Sequence, residues 1–381
     1  EDGIRDYKVT GVQTCALPIF HRIAARIDGL YTLTAGAFSS DFAKCQETAA
    51  ELGVARPYPS WSAMLEGEAA LPADERIEAV VIVTPNHVHA APAIAALEAG
   101  FHVILDKPLC VSLEEARAIE AAVQHASARG IHFCLTHTYS GYPMVKEARA
   151  RVAAGELGKV RKIYVEYPQG WLSTFLEGEG QKQAAWRTDP TRSGRVGAMG
   201  DIGTHAFQLA EYVSGETITE ICADLRAVVP GRALDDDGAV LFRTASGASG
   251  VLMATQVAAG EENNLRIRVF GEKGGLDWQQ ADNNTLLIKP LEDAVRKLRA
   301  GGPGTLPVSQ KHTRVPPGHP EGYLEAFANL YRNFAWQIAA DRGERPADAD
   351  CDFPGIQDGI HGMEFIDAIL RSNGSFVPIN R

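Results

Sequence analysis

The chain has 381 residues, 45% of them hydrophobic and 22% charged, with a net charge of −11 at neutral pH. That length exceeds what one hydrophobic core usually covers, so two domains are expected. An acidic chain with no basic cluster argues against nucleic acid and anionic membrane surfaces as partners and in favour of small molecules. No apolar run approaches the about 20 residues that span a bilayer. The six cysteines (Cys15, Cys45, Cys110, Cys134, Cys222, Cys351) form no C-x-x-C pair. They suggest neither a zinc site nor a disulfide framework, and they fit a reducing cytoplasm.

Residues 1–19, EDGIRDYKVTGVQTCALPI, have an acidic front and too short an apolar part for a signal peptide. Beyond them Ile23, Ala24 and Ile27 recur at helical spacing, and residues 31–38 alternate as a strand. A dinucleotide-binding domain needs a strand and a G-x-G-x-x-G turn before that helix. Gly3 and Gly11 are the only glycines there, and neither fits the pattern. The segment resembles translated sequencing-adapter read-through at the ends of reading frames. We therefore expect a non-native stretch in place of the first strand and glycine loop. After residue 38 come Ser39, Ser40 and Asp41, where an acid binding the cofactor ribose is expected. Ser39 and Ser40 leave the choice of NAD or NADP open, and the same residues also suit the N-cap of a helix over 41–52.

The most informative stretch is 80–108, VVIVTPNHVHAAPAIAALEAGFHVILDKP. Val80 to Val83 is apolar at every residue, as a buried parallel strand should be. Thr84-Pro85-Asn86 ends it, Val88, Ala91, Ile94 and Ala95 follow at helical spacing, and Gly100 stops the helix. A second strand, 101–105, halts at Asp106-Lys107-Pro108. Ligands in open α/β sheets lie beyond the carboxyl ends of the strands, so both tripeptides are expected at one crevice, with Lys107 where cofactor and substrate meet. A helix over 111–129 and a strand over 131–135 continue the pattern to Thr136-His137-Thr138-Tyr139, and a linking helix runs from Tyr142-Pro143 to about Ala154.

Alternating strands then dominate, at 160–167, 239–244, 250–258, 265–272 and 285–290, with turns at 245–247 and 272–275. They predict an antiparallel sheet with one solvated face. Residues 300–318 read as a surface loop. Leu324, Phe327, Tyr331, Phe334 and Ile338 mark an amphipathic helix over 323–340.

Within 197–215, GAMGDIGTHAFQLAEYVSG, Asp201 and His205 are four residues apart and share a helix face. At a helix start the dipole favours ionised Asp201 and a neutral His205 able to take a proton, the base that alcohol oxidation requires. The spacing alone suits a satisfied surface D-x-x-x-H pair better, and no third metal ligand is evident.

The T-P-N-x-x-H segment, the D-K-P turn and G-D-I-G-T-H together resemble the Gfo/Idh/MocA family of glucose-fructose oxidoreductases and inositol dehydrogenases, from about residue 21 to the C-terminus. The resemblance implies an α/β fold: a Rossmann-type domain over 20–140, here apparently without its first strand and glycine loop, and a domain over 141–381 with a large open antiparallel sheet, its C-terminal helices returning to the first domain. It implies NAD or NADP as cofactor, with hydride moved between nicotinamide and a secondary hydroxyl or carbonyl of a sugar, cyclitol or polyol. It implies catalytic roles for Lys107, Asp201 and His205, with His205 as acid/base. Thr84, Pro85, Asn86, His89, Asp106 and Lys107 map to cofactor contacts, and Trp186-Arg187 to a W-R pair that touches cofactor. Asp106 stands where the family has Glu. Tyr139, Tyr142, Asp189 and His319 are candidates, with His205, to line the substrate pocket. A homo-oligomer, dimer or tetramer, is implied by the same resemblance. A non-catalytic sugar or nucleotide sensor and a hydrolase using a metal at His205, Asp201 and His137 are the rival expectations.

Overall fold

The run Ala79–Val83 is buried at every residue, as a strand covered on both faces requires. In the computed structural model, which describes residues 7–13 and 17–380, it is β4 of a six-stranded parallel sheet. The others are β1 (Tyr7–Gln13), β2 (Tyr31–Ala37), β3 (Arg56–Pro57), β5 (His102–Leu105) and β6 (Phe133–Leu135), in the order β3-β2-β1-β4-β5-β6. Helices α1 (Leu17–Ile27), α2 (Phe42–Leu52), α3 (Trp61–Ala69), α4 (Ala90–Glu98) and α5 (Leu113–Ser127) connect them. This strand order is that of the doubly wound dinucleotide-binding fold.

One expectation is corrected here. The first strand is not lost, because Tyr7–Gln13 pairs in parallel with β2 on one side and β4 on the other. Lys8, Thr10 and Gln13 mask it in the sequence, since a central parallel strand normally reads as continuously apolar. Residues 14–16, where the glycine turn would fall, lie outside the described residues.

The chain divides into two units, Glu1–Thr138 with Phe327–Ile360, and Tyr139–Ala326 with His361–Arg381. The first unit therefore includes most of α11 (Tyr323–Asp341). Tyr331 on that helix accepts from Tyr31 Oη through its backbone oxygen at 2.7 Å, and its hydroxyl meets His21 Nδ1 at 2.8 Å.

The second unit holds α6 (Pro143–Ala153), β7 (Val160–Pro168), α7 (Lys182–Arg187), α8 (Pro190–Ser193), α9 (Thr204–Ser214), β8 (Ile218–Arg226), β9 (Asp237–Thr244), β10 (Ser249–Thr255), β11 (Arg266–Gly271), β12 (Gly274–Gln279), β13 (Thr285–Pro290), β14 (Arg296–Arg299), α10 (Pro307–Lys311), most of α12 (Ile356–Ser372) and β15 (Val377–Pro378). Its nine-stranded sheet runs β14-β13-β12-β11-β7-β10-β9-β8-β15. The expected antiparallel sheet is in fact mixed, because β7 and β10 pair in parallel. Strand β12 begins at Gly274, inside the segment expected to turn, and α10 lies in the expected loop. Burial alternates along β9, with Val240 and Phe242 inside and Leu241 49% exposed on the open face.

Candidate active site

In the first unit the ends of β4, β5 and β6 carry the polar residues. Asp106 follows β5, is 6% exposed, and accepts at Oδ1 from Lys107 N and from Thr136 Oγ1, both at 2.9 Å. His21 Nε2 lies 3.8 Å from the same oxygen. Burial alone would raise the Asp106 carboxyl. His21 and the charges of Lys107 and His89 outweigh it and hold the group well below the usual carboxylate range. Asp106 thus stands as an anion that orients the Lys107 backbone, and Lys107 precedes a cis peptide bond to Pro108. His137, just past β6, is buried, and burial aided by the Lys107 charge pushes it down to about 3.

Of the expected cofactor contacts, Thr84, Pro85 and Asn86 lie at the tip of β4, beside the Asp106-Lys107-Pro108 tip of β5. Thr84 Oγ1 is buried with no hydrogen-bond partner among the described residues, which fits a ligand group there. His89 is fully buried. Its ring nitrogens face the carbonyl oxygens of Pro108 (2.8 Å) and Thr84 (2.9 Å), so it ties the two tips together and is not a surface contact. Ser39 Oγ accepts from Asp41 N at 3.1 Å, while Asp41 caps α2 by accepting from Ala43 N and Lys44 N. Ser40 is exposed. The helix-cap reading of this segment is the one the structure shows for Asp41.

In the second unit Asp201 sits in a π-helical turn, Met199–Gly203, that runs into α9, and His205 is the second residue of α9. Such wide turns recur at functional sites. Asp235 holds its start: Gly197 N donates to Oδ1 at 2.6 Å and Met199 N to Oδ2 at 2.9 Å. A side chain at position 197 would put Cβ 2.1 Å from the Asp235 carbonyl oxygen. His205 is 6% exposed, with the Tyr139 ring edge-on at 5.0 Å and the Tyr167 ring at 6.5 Å. The Tyr139 and Tyr167 hydroxyls are hydrogen-bonded to each other. Burial raises both, Tyr167 to about 12.

Asp201 Oδ2 accepts from Gln256 Nε2 at 2.9 Å and lies 3.5 Å from Arg187 Nε. The Arg187 guanidinium stacks 4.3 Å from the Trp186 ring. Asp201, His205, Tyr139, Trp186 and Arg187 are thus gathered in this unit, with Arg187 paired to Asp201. Three expected pocket residues are not part of the group. Tyr142 is buried behind Tyr139 and against Trp278. Asp189 caps α8, accepting at Oδ1 from Thr191 N and Oγ1. His319 is exposed in a loop, 3.2 Å from the Pro316 carbonyl. Gln169, Gln256, Asn263 and Tyr167 were missed. The signal available was a polar residue at the end of an alternating apolar strand. Among the described residues no three His, Cys, Asp or Glu side chains are grouped as a metal site requires.

Residues 21–132 match the oxidoreductase family with an NAD-binding Rossmann fold, and residues 145–277 match the GFO/IDH/MocA C-terminal domain. The chain is 33% identical over 361 residues to the uncharacterized oxidoreductase YfiI of Bacillus subtilis (strain 168), covering 92% of this chain and 90% of that one. It is similar to the crystal structure of an oxidoreductase from Sinorhizobium meliloti, at 41% identity, TM-score 0.89 and 98% and 99% coverage of the two chains. It is also similar to an inositol dehydrogenase homolog from Azotobacter vinelandii complexed with NADH and myo-inositol, at 31% identity, TM-score 0.90 and 98% coverage of both. With a doubly wound first unit, a nine-stranded second sheet and matches over both, the chain belongs to the GFO/IDH/MocA family of NAD-binding oxidoreductases.

Proposed function

We propose that the chain oxidises a secondary hydroxyl of a sugar, cyclitol or related polyol, or reduces the matching carbonyl, with NAD or NADP. The observation that carries the reading is the Asp201 and His205 pair at the junction of the π turn and α9, with Asp201 held by Gln256 and Arg187 and His205 walled by tyrosines. Similarity to the Azotobacter vinelandii homolog complexed with NADH and myo-inositol supports the substrate class.

The strand tips of the first unit fit the cofactor, since Thr84 offers a buried hydroxyl with no partner among the described residues at the carboxyl end of β4. Thr84, Pro85, Asn86 and Lys107 would hold it, with Ser39 and Ser40 at the ribose end. When bound, the nicotinamide accepts or supplies the hydride. His205 exchanges the hydroxyl proton, Asp201 orients His205, and Lys107 stabilises the developing alkoxide. A homo-oligomer belongs to the same reading, supported by Leu241 and Met253, exposed at 49% and 45% on the open sheet face, and a cytoplasmic location rests on the scattered cysteines alone.

The test is a panel of sugars and polyols with NAD⁺ and with NADP⁺, followed by the absorbance of the reduced nicotinamide. His205→Ala is expected to lower turnover by orders of magnitude with little change in NADH affinity. Wild-type turnover in H205A would sink the assignment.

A further inference from the structure

The side chain that holds Asp201 is itself held. Gln256 follows β10, and its Nε2 donates to Asp201 Oδ2 at 2.9 Å and approaches Gln169 Oε1 at 3.2 Å. Gln169 follows β7. Its Nε2 donates to Asn263 Oδ1 at 2.5 Å, and its Oε1 also accepts from Trp171 Nε1 at 3.1 Å. Tyr167 Oη reaches the same Asn263 oxygen at 3.2 Å. Gln256 and Gln169 are 2% and 8% exposed. The parallel pairing of β7 and β10 makes the string possible, because both strands end at one rim of the sheet. There Gln169 N bonds the Thr255 carbonyl oxygen at 2.8 Å and Gln256 N bonds that of Asp236 at 2.8 Å.

The string has a direction. An ionised carboxylate only accepts hydrogen bonds, so Gln256 must turn its NH₂ group to Asp201. The same NH₂ serves Gln169 Oε1, and this fixes the Gln169 NH₂ toward Asn263. A single negative charge therefore sets the orientation of two buried amides, and none of the amides titrates. Arg187 Nε at 3.5 Å is a charged neighbour of Asp201, and Tyr167, Tyr139 and His205 are further titratable groups of the cluster. Arg187 supplies charge, and Gln256 supplies direction.

We propose that Gln256, backed by Gln169 and Asn263, is a positioning residue that fixes the Asp201 carboxylate in the orientation serving His205. The assignment rests on the proton-transfer role given to His205 above.

Three variants test it: Gln256→Leu, Gln256→Glu and Asp201→Ala. Q256L removes the donor and is expected to lower kcat by about tenfold or more, as loss of a hydrogen bond to a charged group does, with NADH affinity unchanged. Q256E supplies a carboxylic acid that donates as the amide does while protonated and repels Asp201 once ionised. Its turnover is expected to approach wild type at low pH and to fall as pH rises, a limb absent from the wild-type profile. A Q256E profile parallel to wild type, or a Q256L kcat within about twofold of wild type, overturns the proposal. Independently of turnover, the urea midpoints of Q256L, D201A and the double variant are expected to be non-additive, the double shift being smaller than the sum. Additive shifts overturn the amide string by themselves. Non-additive shifts in a chain that turns over no polyol overturn the hydride-transfer reading, and with it the service to His205, and leave the string standing.

Discussion

His89 Nδ1 lies 2.8 Å from the carbonyl oxygen of Pro108, and the opposite edge of the ring meets the carbonyl of Thr84 at 2.9 Å. Burial lowers His89 against the pull of Asp106, and a neutral imidazole carries one N–H, so it donates to one of the two carbonyls. The ring is a strut between the tips of β4 and β5. His89→Leu should destabilise the chain by about 1–3 kcal/mol, the cost of an unpaired buried carbonyl. It should also weaken NADH binding, and the two effects are read by urea unfolding and nicotinamide fluorescence. NADH affinity equal to wild type would show that the tips keep their places without it.

Stability should fall on acidification for a definable reason. His102 is lowered to about 3 by burial and then by the charges of His132 and Arg342, and His137 to about 3 by burial and Lys107. Unfolded histidine titrates near about 6.5. Between these values the unfolded chain binds a proton at each of these histidines that the folded chain refuses, and the lowered His89 adds in the same direction, so stability rises with pH and is complete above the unfolded value. The expected slope is about 1.4 kcal/mol per pH unit for each histidine. Urea midpoints measured from pH 7 down to pH 4 check it, and His102→Gln should lower the slope by a single histidine's share.

Arg232 is a buried cation of the second unit held by carboxylates and carbonyls together. Its Nε and Nη2 grip Glu177 at 2.8 and 3.0 Å, Nη1 meets Asp236 at 3.0 Å and the Leu172 carbonyl at 2.8 Å, and Nη2 meets the Thr174 carbonyl at 2.9 Å. Asp236 is fully buried. Arg232→Leu would leave that carboxylate without its cation and should cost about 3–5 kcal/mol, read as a lower urea midpoint. A loss under about 1 kcal/mol would mean that the segment after β7 is held by other contacts.

Thr14, Cys15 and Ala16 stand between β1 and α1, where the fold usually places a glycine turn whose backbone N–H groups hold the pyrophosphate. We expect a chain with residues 1–19 replaced by a strand and a G-x-G-x-x-G turn to bind NADH or NADPH more tightly than this sequence. Titration of both proteins by nicotinamide fluorescence decides it, and the tighter nucleotide names the preferred cofactor. Equal affinities would mean that the present sequence between β1 and α1 already serves.

What was legible in the sequence was local. Val80 to Val83 and the strand before Asp106 declare themselves by unbroken apolar character, and Tyr331 and Phe334 by helical spacing. Asp201 and His205 are visible because their relation spans four residues. The amides around Asp201 are not: Gln169 and Asn263 are 94 residues apart, and only the parallel entry of β10 beside β7 brings the strand ends together. Asp189 shows how local a claim can be, since its carboxylate is taken up in capping α8. Residue type identifies chemistry, but the partner that claims a side chain is often distant.

The two borders of the large sheet are finished differently. On one, β14 presents Arg296, Lys297 and Arg299 to solvent, and like charges repel a second sheet. On the other, β8 is hemmed by the tail: β15 pairs with Glu220 and Ile221, Ser372 Oγ accepts from Ala223 N at 2.8 Å, and Ile379 N bonds the Thr219 carbonyl at 2.8 Å. Pro378 lacks an N–H and cannot template a further strand. Residues 372–379 therefore work as a selvedge. Cutting the chain before Ser372 would bare a row of unpaired N–H and C=O groups, and the expected result is self-association of the cut protein through that border.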